Sequence, residues 1–88
     1  CYAFYDIAPQ APTHFLVIPK EHIGSVAEVN GGNSAVVAHI FEVIARLCRE
    51  QGLENYRVVS NIGEQAGQSV HHLHFHVLSG RDMTWPPG

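Results

Sequence analysis

Residues 72–76 read His-Leu-His-Phe-His, and Val77 and Leu78 follow. Apolar and polar residues alternate with period two, the pattern of a strand with one buried face. The imidazoles of His72, His74 and His76 then share the other face, roughly 6.5–7 Å apart along it. Three titratable rings in a row suit a small anion or a metal ion. A neutral imidazole can act as a nucleophile, and its N–H can donate to a phosphoryl oxygen.

Three readings of this row are open: surface histidines on a strand, a zinc pair of the His-x-His type, and direct handling of a phosphate. No carboxylate adjoins the row in sequence, since Glu64 and Asp82 lie several residues away. Gly67-Gln68-Ser69 stands just upstream and favours phosphate. A glycine lets backbone approach a ligand closely, and Gln68 and Ser69 add neutral donors. An anion held that way needs few lysines or arginines. The glycine-rich loop of the Walker type is absent.

The rest of the chain must position these groups. Residues 1–6 are aromatic-rich and read as a strand, and the prolines at 9 and 12 mark a loop. Residues 14–18 form a second strand that Pro19 stops. Asn33 or Ser34 can cap a helix over 34–51, where Val37, Ile40, Phe41, Ile44, Leu47 and Cys48 follow helical spacing. Gly52 supplies the stop. Residues 56–60 read as a third strand, 62–69 as a glycine-rich loop, and 70–78 as a fourth strand. Trp85-Pro86-Pro87-Gly88 is an extended tail. The expectation is one α+β domain over residues 1–88, an antiparallel sheet with a long helix packed on it.

Composition narrows the function. The chain has 88 residues, five of them basic, and a net charge of -3. It lacks the basic face that a nucleic-acid polymer requires. No apolar run approaches membrane-spanning length. Cys1 and Cys48 form no Cys-x-x-Cys pair, and Cys48 falls on the apolar helix face as a small buried thiol. A reducing intracellular setting, cytoplasm or nucleus, fits this usage. Among the other histidines, His14 is either packed or a support for the row, His22 is structural, and His39 is solvated. His71 is a strand-end residue on the side of Leu73 and Phe75. Arg81 is expected in a surface ion pair.

Gly67-Gln68-Ser69-Val70 followed by His72-Leu73-His74-Phe75-His76-Val77-Leu78 resembles the motif of the histidine triad (HIT) superfamily. Residues 11–20, Ala-Pro-Thr-His-Phe-Leu-Val-Ile-Pro-Lys, are similar to that family's upstream strand. Trp85-Pro86-Pro87-Gly88 resembles the end of its nucleotide-binding branch. The resemblance implies a HIT-like fold whose N-terminal helix and first strand have no counterpart here. It further implies a purine nucleoside phosphoramidase acting on adenosine 5′-monophosphoramidate and related conjugates, with AMP or GMP as product. His74 maps to the nucleophile, with His72, His76 and Ser69 as its catalytic companions. Gly67, Gln68, Ser69 and His76 map to phosphate contacts, Asn61 to a phosphate or ribose contact, and Asp6 and Ile7 to the nucleoside. No cofactor and no metal is expected.

The family is dimeric, and the helix carries more apolar surface (Val36, Val37, Ile40, Phe41, Val43, Ile44) than one sheet face requires. A homodimer is therefore expected. The chain departs from the branch at His71, Ile62 and Ser79, which bears on substrate preference and leaves the triad intact. Rival readings are a dinucleoside polyphosphate hydrolase of the same superfamily, or a nucleotide-binding or scaffold module whose turnover is incidental. The Trp-Pro-Pro-Gly ending argues against the first, and an intact triad against the second.

Overall fold

The structure is a computed structural model that describes residues 1–88. In chain order it contains β1 (Tyr2–Tyr5), β2 (Thr13–Ile18), α1 (Ser34–Glu50), β3 (Arg57–Val59) and β4 (Phe75–Ser79). Single turns of 3-10 helix occupy Val26–Glu28 and Glu64–Ala66. The strands form one antiparallel sheet in the order β1-β2-β4-β3. This is the α+β architecture expected from the sequence. No helix is long and apolar enough to cross a membrane.

Strand pairing sets the two faces. Phe15 lies opposite Val77, and Val17 opposite Phe75. These four side chains are at most 5% exposed and point toward α1. They form one core with Ile40, Val43, Ile44 and Cys48 of the helix and with Ile23 and Leu73 from the loops. The Phe41 ring meets Phe75 edge-on, with centroids 5.2 Å apart. The other sheet face carries His14, His76 and the residues near them. Fold and site are thus two faces of the same β2–β4 pair.

The helix ends as a Schellman turn. Gly52 adopts a φ of 70°, which costs a side chain but not a glycine. Its N–H donates to the Arg49 carbonyl, and the Leu53 N–H to Cys48. The other end differs from expectation. Asn33 holds the cap position, but its Oδ1 accepts from the Asn30 N–H at 2.7 Å, so no side chain caps the first turn.

The fourth strand is shorter than its alternating sequence suggests. Burial alternates over the whole stretch: Leu73, Phe75 and Val77 are buried, and the intervening histidines are half-buried. Ladder pairing begins only at Phe75. In this register Pro19 would face Leu73, and a proline has no N–H to give. On the other side β3 ends at Val59, opposite His76. Residues 70–74 therefore lie outside the sheet, with bends at 70–72, and the Leu73 N–H turns to the Ile23 carbonyl instead.

Ile40 is fully buried at the centre of the helix–sheet contact. Ile40→Ala should lower unfolding free energy by about 2–5 kcal/mol. Glu42→Ala, at an exposed position of the same helix, should change it by less than about 0.5 kcal/mol. Urea denaturation of both variants checks this.

Candidate active site

His76 sits on β4, diagonal to His14 on β2, because Leu16 pairs with His76 and Leu78 with His14. The Asp6 N–H donates to the His14 carbonyl, which extends the β1–β2 pairing and brings Asp6 alongside. The Asp6 Oδ2 lies 3.6 Å from His14 Nε2 and 4.0 Å from His76 Nδ1. A carboxylate does adjoin the triad, then, although sequence distance hides it. Strand pairing across 70 residues is what supplies it.

Hydrogen-bond partners with only one role assign the protons on the rings. The Gln10 backbone N–H can only donate, so His14 Nδ1 accepts it at 3.1 Å and carries no proton. The His14 proton is on Nε2 and is donated to His76 Nδ1 at 2.9 Å. His76 then holds its own proton on Nε2. At His74 the logic runs the other way. Its Nδ1 lies 2.7 Å from the His72 carbonyl, which can only accept. The His74 proton is therefore on Nδ1, and Nε2 presents a free lone pair. The rings of His74 and His76 meet edge to face, with centroids 5.1 Å apart. A lone pair and an N–H donor lie side by side, which suits attack on a phosphorus and capture of its oxygen.

The remaining triad ring points elsewhere. His72 Nε2–H donates to the Pro19 carbonyl at 3.0 Å, and His72 Nδ1 lies 3.3 Å from His22 Nδ1. Its imidazole does not touch His74. His72, expected as a catalytic companion of His74, sets the His74 tautomer through its backbone carbonyl and not through its side chain. Ser60 holds the same segment, donating from Oγ to the His74 carbonyl at 2.8 Å.

Gln68 also departs from expectation. It is 5% exposed, and its amide is fully committed within the loop. Nε2 donates to the Gly24 and Val70 carbonyls at 2.8 and 3.0 Å, and Oε1 accepts from the Gly63 N–H at 2.9 Å. Its backbone N–H donates to Gly63. Gln68 is a staple that shapes the loop and has no donor left for an anion. Gly67 has a φ of 101°, and a Cβ there would stand 3.5 Å from Asn61 Nδ2. Ser69 is exposed at the end of this loop, and Asn61 is half-buried beside it. Ile7 is fully exposed, next to Asp6. Asp6 is additionally fixed by the Ala8 N–H, which donates to its Oδ1 at 2.8 Å.

The other residues singled out in the sequence keep or change their roles as follows. His14 is 5% exposed and supports His76 directly. His22 joins His72, and His71 is exposed instead of turning inward with Leu73 and Phe75. Arg81 donates to the carbonyls of Gln10 and Asp82, not to a carboxylate. The sequence carries no signal for the site roles of Gln10, Pro19 or Ser60, because each depends on a backbone group or a long-range register that spacing does not show. A cleft of about 1160 Å³ lies at the far end of β3 and β4, beside Arg57, Ser79 and Arg81. It holds none of the triad.

Asp6, His14 and His76 have ligand atoms within 4.8 Å of one another, close enough to surround a metal ion. The proton assignment opposes this. A neutral His14 bound to metal through Nε2 must carry its proton on Nδ1, where it would confront the Gln10 N–H. Ligating histidines normally point that second N–H at an acceptor. This cluster fits a hydrogen-bonded relay better than a metal.

Comparison with known proteins places this geometry in a family. The HIT domain model matches residues 1–83. An uncharacterized HIT-like protein of Synechococcus elongatus is 46% identical over 89 residues, taking in 100% of this chain and 78% of that protein. The crystal structure of a HIT family hydrolase from Legionella pneumophila Philadelphia 1 superposes with a TM-score of 0.94 at 49% identity, over 98% of this chain and 79% of that one. A histidine triad nucleotide-binding protein from Candida albicans superposes with a TM-score of 0.82 at 30% identity, over 97% of this chain and 67% of that one.

His76 is pushed below the ordinary imidazole range, chiefly by burial, then by the nearby His74 and His14 rings, against an opposing pull from Asp6. The unfolded chain protonates this residue more readily than the folded one. The stability linked to His76 is complete above about pH 6.5 and is lost as pH falls from there through the folded value. NMR titration should give His76 a midpoint below that of a free imidazole. His76→Gln should flatten the acid side of the stability curve. A raised midpoint would show that Asp6 dominates.

Proposed function

The chain belongs to the HIT family, and from that premise we propose that it hydrolyses purine nucleoside phosphoramidates through a nucleotidyl-histidine intermediate on His74. The observation that carries this reading is the free Nε2 lone pair of His74, fixed by the His72 carbonyl on Nδ1. Hydrolysis is also the activity named for the Legionella relative, and nucleotide binding for the Candida one.

In the first step Nε2 of His74 attacks the α-phosphorus in line. An N–P bond to His74 forms, and the P–N bond to the substrate amine breaks. The departing amine takes a proton, which in this reading the exposed Ser69 hydroxyl passes to it. Positive charge grows on the His74 ring as this happens, and the Nδ1–H···O=C bond to His72 strengthens with it. His76, kept neutral by its surroundings, donates Nε2–H to a phosphoryl oxygen. Such donors are worth most where charge develops. Water then attacks the phosphorus, the bond to His74 breaks, and AMP or GMP leaves. Phosphoryl transfer depends mainly on position and charge stabilisation, which these imidazoles supply without a metal. Asp6, Ile7 and Asn61 meet the nucleoside in this reading, and Gly67 lets the backbone come close to the phosphate.

The functional unit is proposed to be a homodimer. Phe41 is 47% exposed on the helix, with Val36 and Val37 half-buried near it, a face that a second copy would cover. Trp85 is 83% exposed in the tail, free to reach the partner's site and sort leaving groups.

His74→Ala should lower turnover of adenosine 5′-monophosphoramidate by several orders of magnitude while leaving AMP binding and thermal stability near wild type. Mass spectrometry of acid-quenched wild type should find nucleotide on the peptide holding His74. A chelator should leave the rate unchanged. Wild-type turnover by His74→Ala would place the nucleophile elsewhere. Loss of activity on chelation, restored by zinc, would favour a metal mechanism.

A further inference from the structure

Gln68 is buried, and its side chain takes no part in the chemistry at His74. Its amide nevertheless organises the segment that does. Nε2 donates to the Val70 carbonyl at 3.0 Å, two residues ahead, and so closes a ring of chain with Ser69 at its apex. Nε2 also donates to the Gly24 carbonyl at 2.8 Å, in the loop after β2. We propose that Gln68 is a positioning residue for the hydrolysis, and that its amide holds the turn from which the Ser69 hydroxyl reaches the departing amine. This role rests on the reading of His74 as nucleophile and Ser69 as proton donor.

Three observations support it. The first is where the segment is pinned. The Leu73 N–H donates to the Ile23 carbonyl, and the Gln68 side chain to the Gly24 carbonyl. Two adjacent carbonyls of one buried stretch take both ends, and residues 69–72 bow out between them. The second is what the pins leave free. Ser69 is exposed, and neither its N–H nor its hydroxyl has a partner within the chain. An unrestrained loop serine samples many backbone states. The ring closed by Gln68 removes that freedom before substrate arrives, which lowers the cost of reaching a reactive geometry. The third is a division of labour. The Leu73 pin is a backbone bond beside His74, and the His72 carbonyl holds the His74 ring. Loss of the Gln68 amide loosens the Ser69 end and leaves the nucleophile in place.

The chemistry makes the two ends separable. As phosphorus bonds to His74 Nε2, its bond to the amine nitrogen breaks, and that nitrogen takes the Ser69 hydroxyl proton. Water replaces the proton on the Ser69 oxygen. Hydrolysis of the nucleotidyl-histidine later returns one proton to solvent. A 4-nitrophenolate departs without a proton, so it needs neither Ser69 nor its turn.

The test is single-turnover kinetics of Gln68→Glu, Gln68→Met, Ser69→Ala and the two double variants. Glutamate keeps the oxygen that accepts from Gly63 and loses both donors, whereas methionine loses all three bonds. Each single variant should slow nucleotide transfer from adenosine 5′-monophosphoramidate at least about tenfold, yet stay within about twofold of wild type on adenosine 5′-(4-nitrophenyl phosphate). Adding either Gln68 change to Ser69→Ala should slow the phosphoramidate no further, because independent effects multiply and a residue acting through another does not. Multiplying losses, or equal slowing of both substrates, would overturn the proposal. If neither Gln68 variant folds, hydrogen exchange on the wild type replaces the cycle. The Gln68 side-chain amide protons should then exchange far more slowly than the Ser69 N–H, and equal rates would overturn the turn. A wild type that turns over neither substrate would instead sink the hydrolysis reading itself.

Discussion

Pro19 has no N–H, and the arrangement of the site follows from that missing donor. Were β2 to continue, residue 19 would pair with Leu73 and hold the histidine segment in the ladder. The segment would be straight, and the His72 carbonyl would be a sheet acceptor or face a neighbouring strand. With no donor opposite, the chain leaves the sheet before Phe75. The His72 carbonyl turns to the ring two residues ahead. Pro19 also keeps an unpaired carbonyl of its own, and this takes the His72 Nε2–H. One imino acid thus ends a strand, frees a carbonyl and anchors a ring.

Backbone groups then decide what each imidazole can do. An amide donor at Gln10 makes His14 a donor toward His76, and a carbonyl acceptor at His72 makes His74 a free base. Backbone polarity is permanent, so these assignments do not fluctuate as side-chain partners would. Two rings two residues apart in sequence are held in opposite proton patterns by partners from different loops. Burial alone could not distinguish them.

Much of this was legible in the sequence, and the limit was physical. Local pattern carries the helix, its Gly52 stop, the buried Cys48 and the alternation of Leu73, Phe75 and Val77, because each depends on neighbours in the chain. The histidines and the glycine loop were likewise visible as chemistry. Long-range register was not. Asp6 reaches His76 only because β1 pairs with β2 and β2 with β4, and no spacing rule links residues 6, 14 and 76. Gln68 illustrates the converse. Its type and place beside Ser69 fit anion binding, yet three backbone groups claim its amide. A side chain able to do two jobs cannot be assigned before the fold shows which partners are unsatisfied.

The outer strand β1 adds a constraint of another kind. All four of its residues, Tyr-Ala-Phe-Tyr, are exposed, and none is charged. One edge of the strand pairs with β2, and the other presents unpaired amides and carbonyls. An exposed, apolar edge is a template on which further strands can grow, and its shortness limits this. Asp6 follows this strand directly, and the Lys20 ammonium lies 5.6 Å from the Tyr2 ring centroid. Charges placed so close to such a segment act as gatekeepers against aggregation. The carboxylate held beside His14 and His76 thus also sets a charge at the end of that apolar strand.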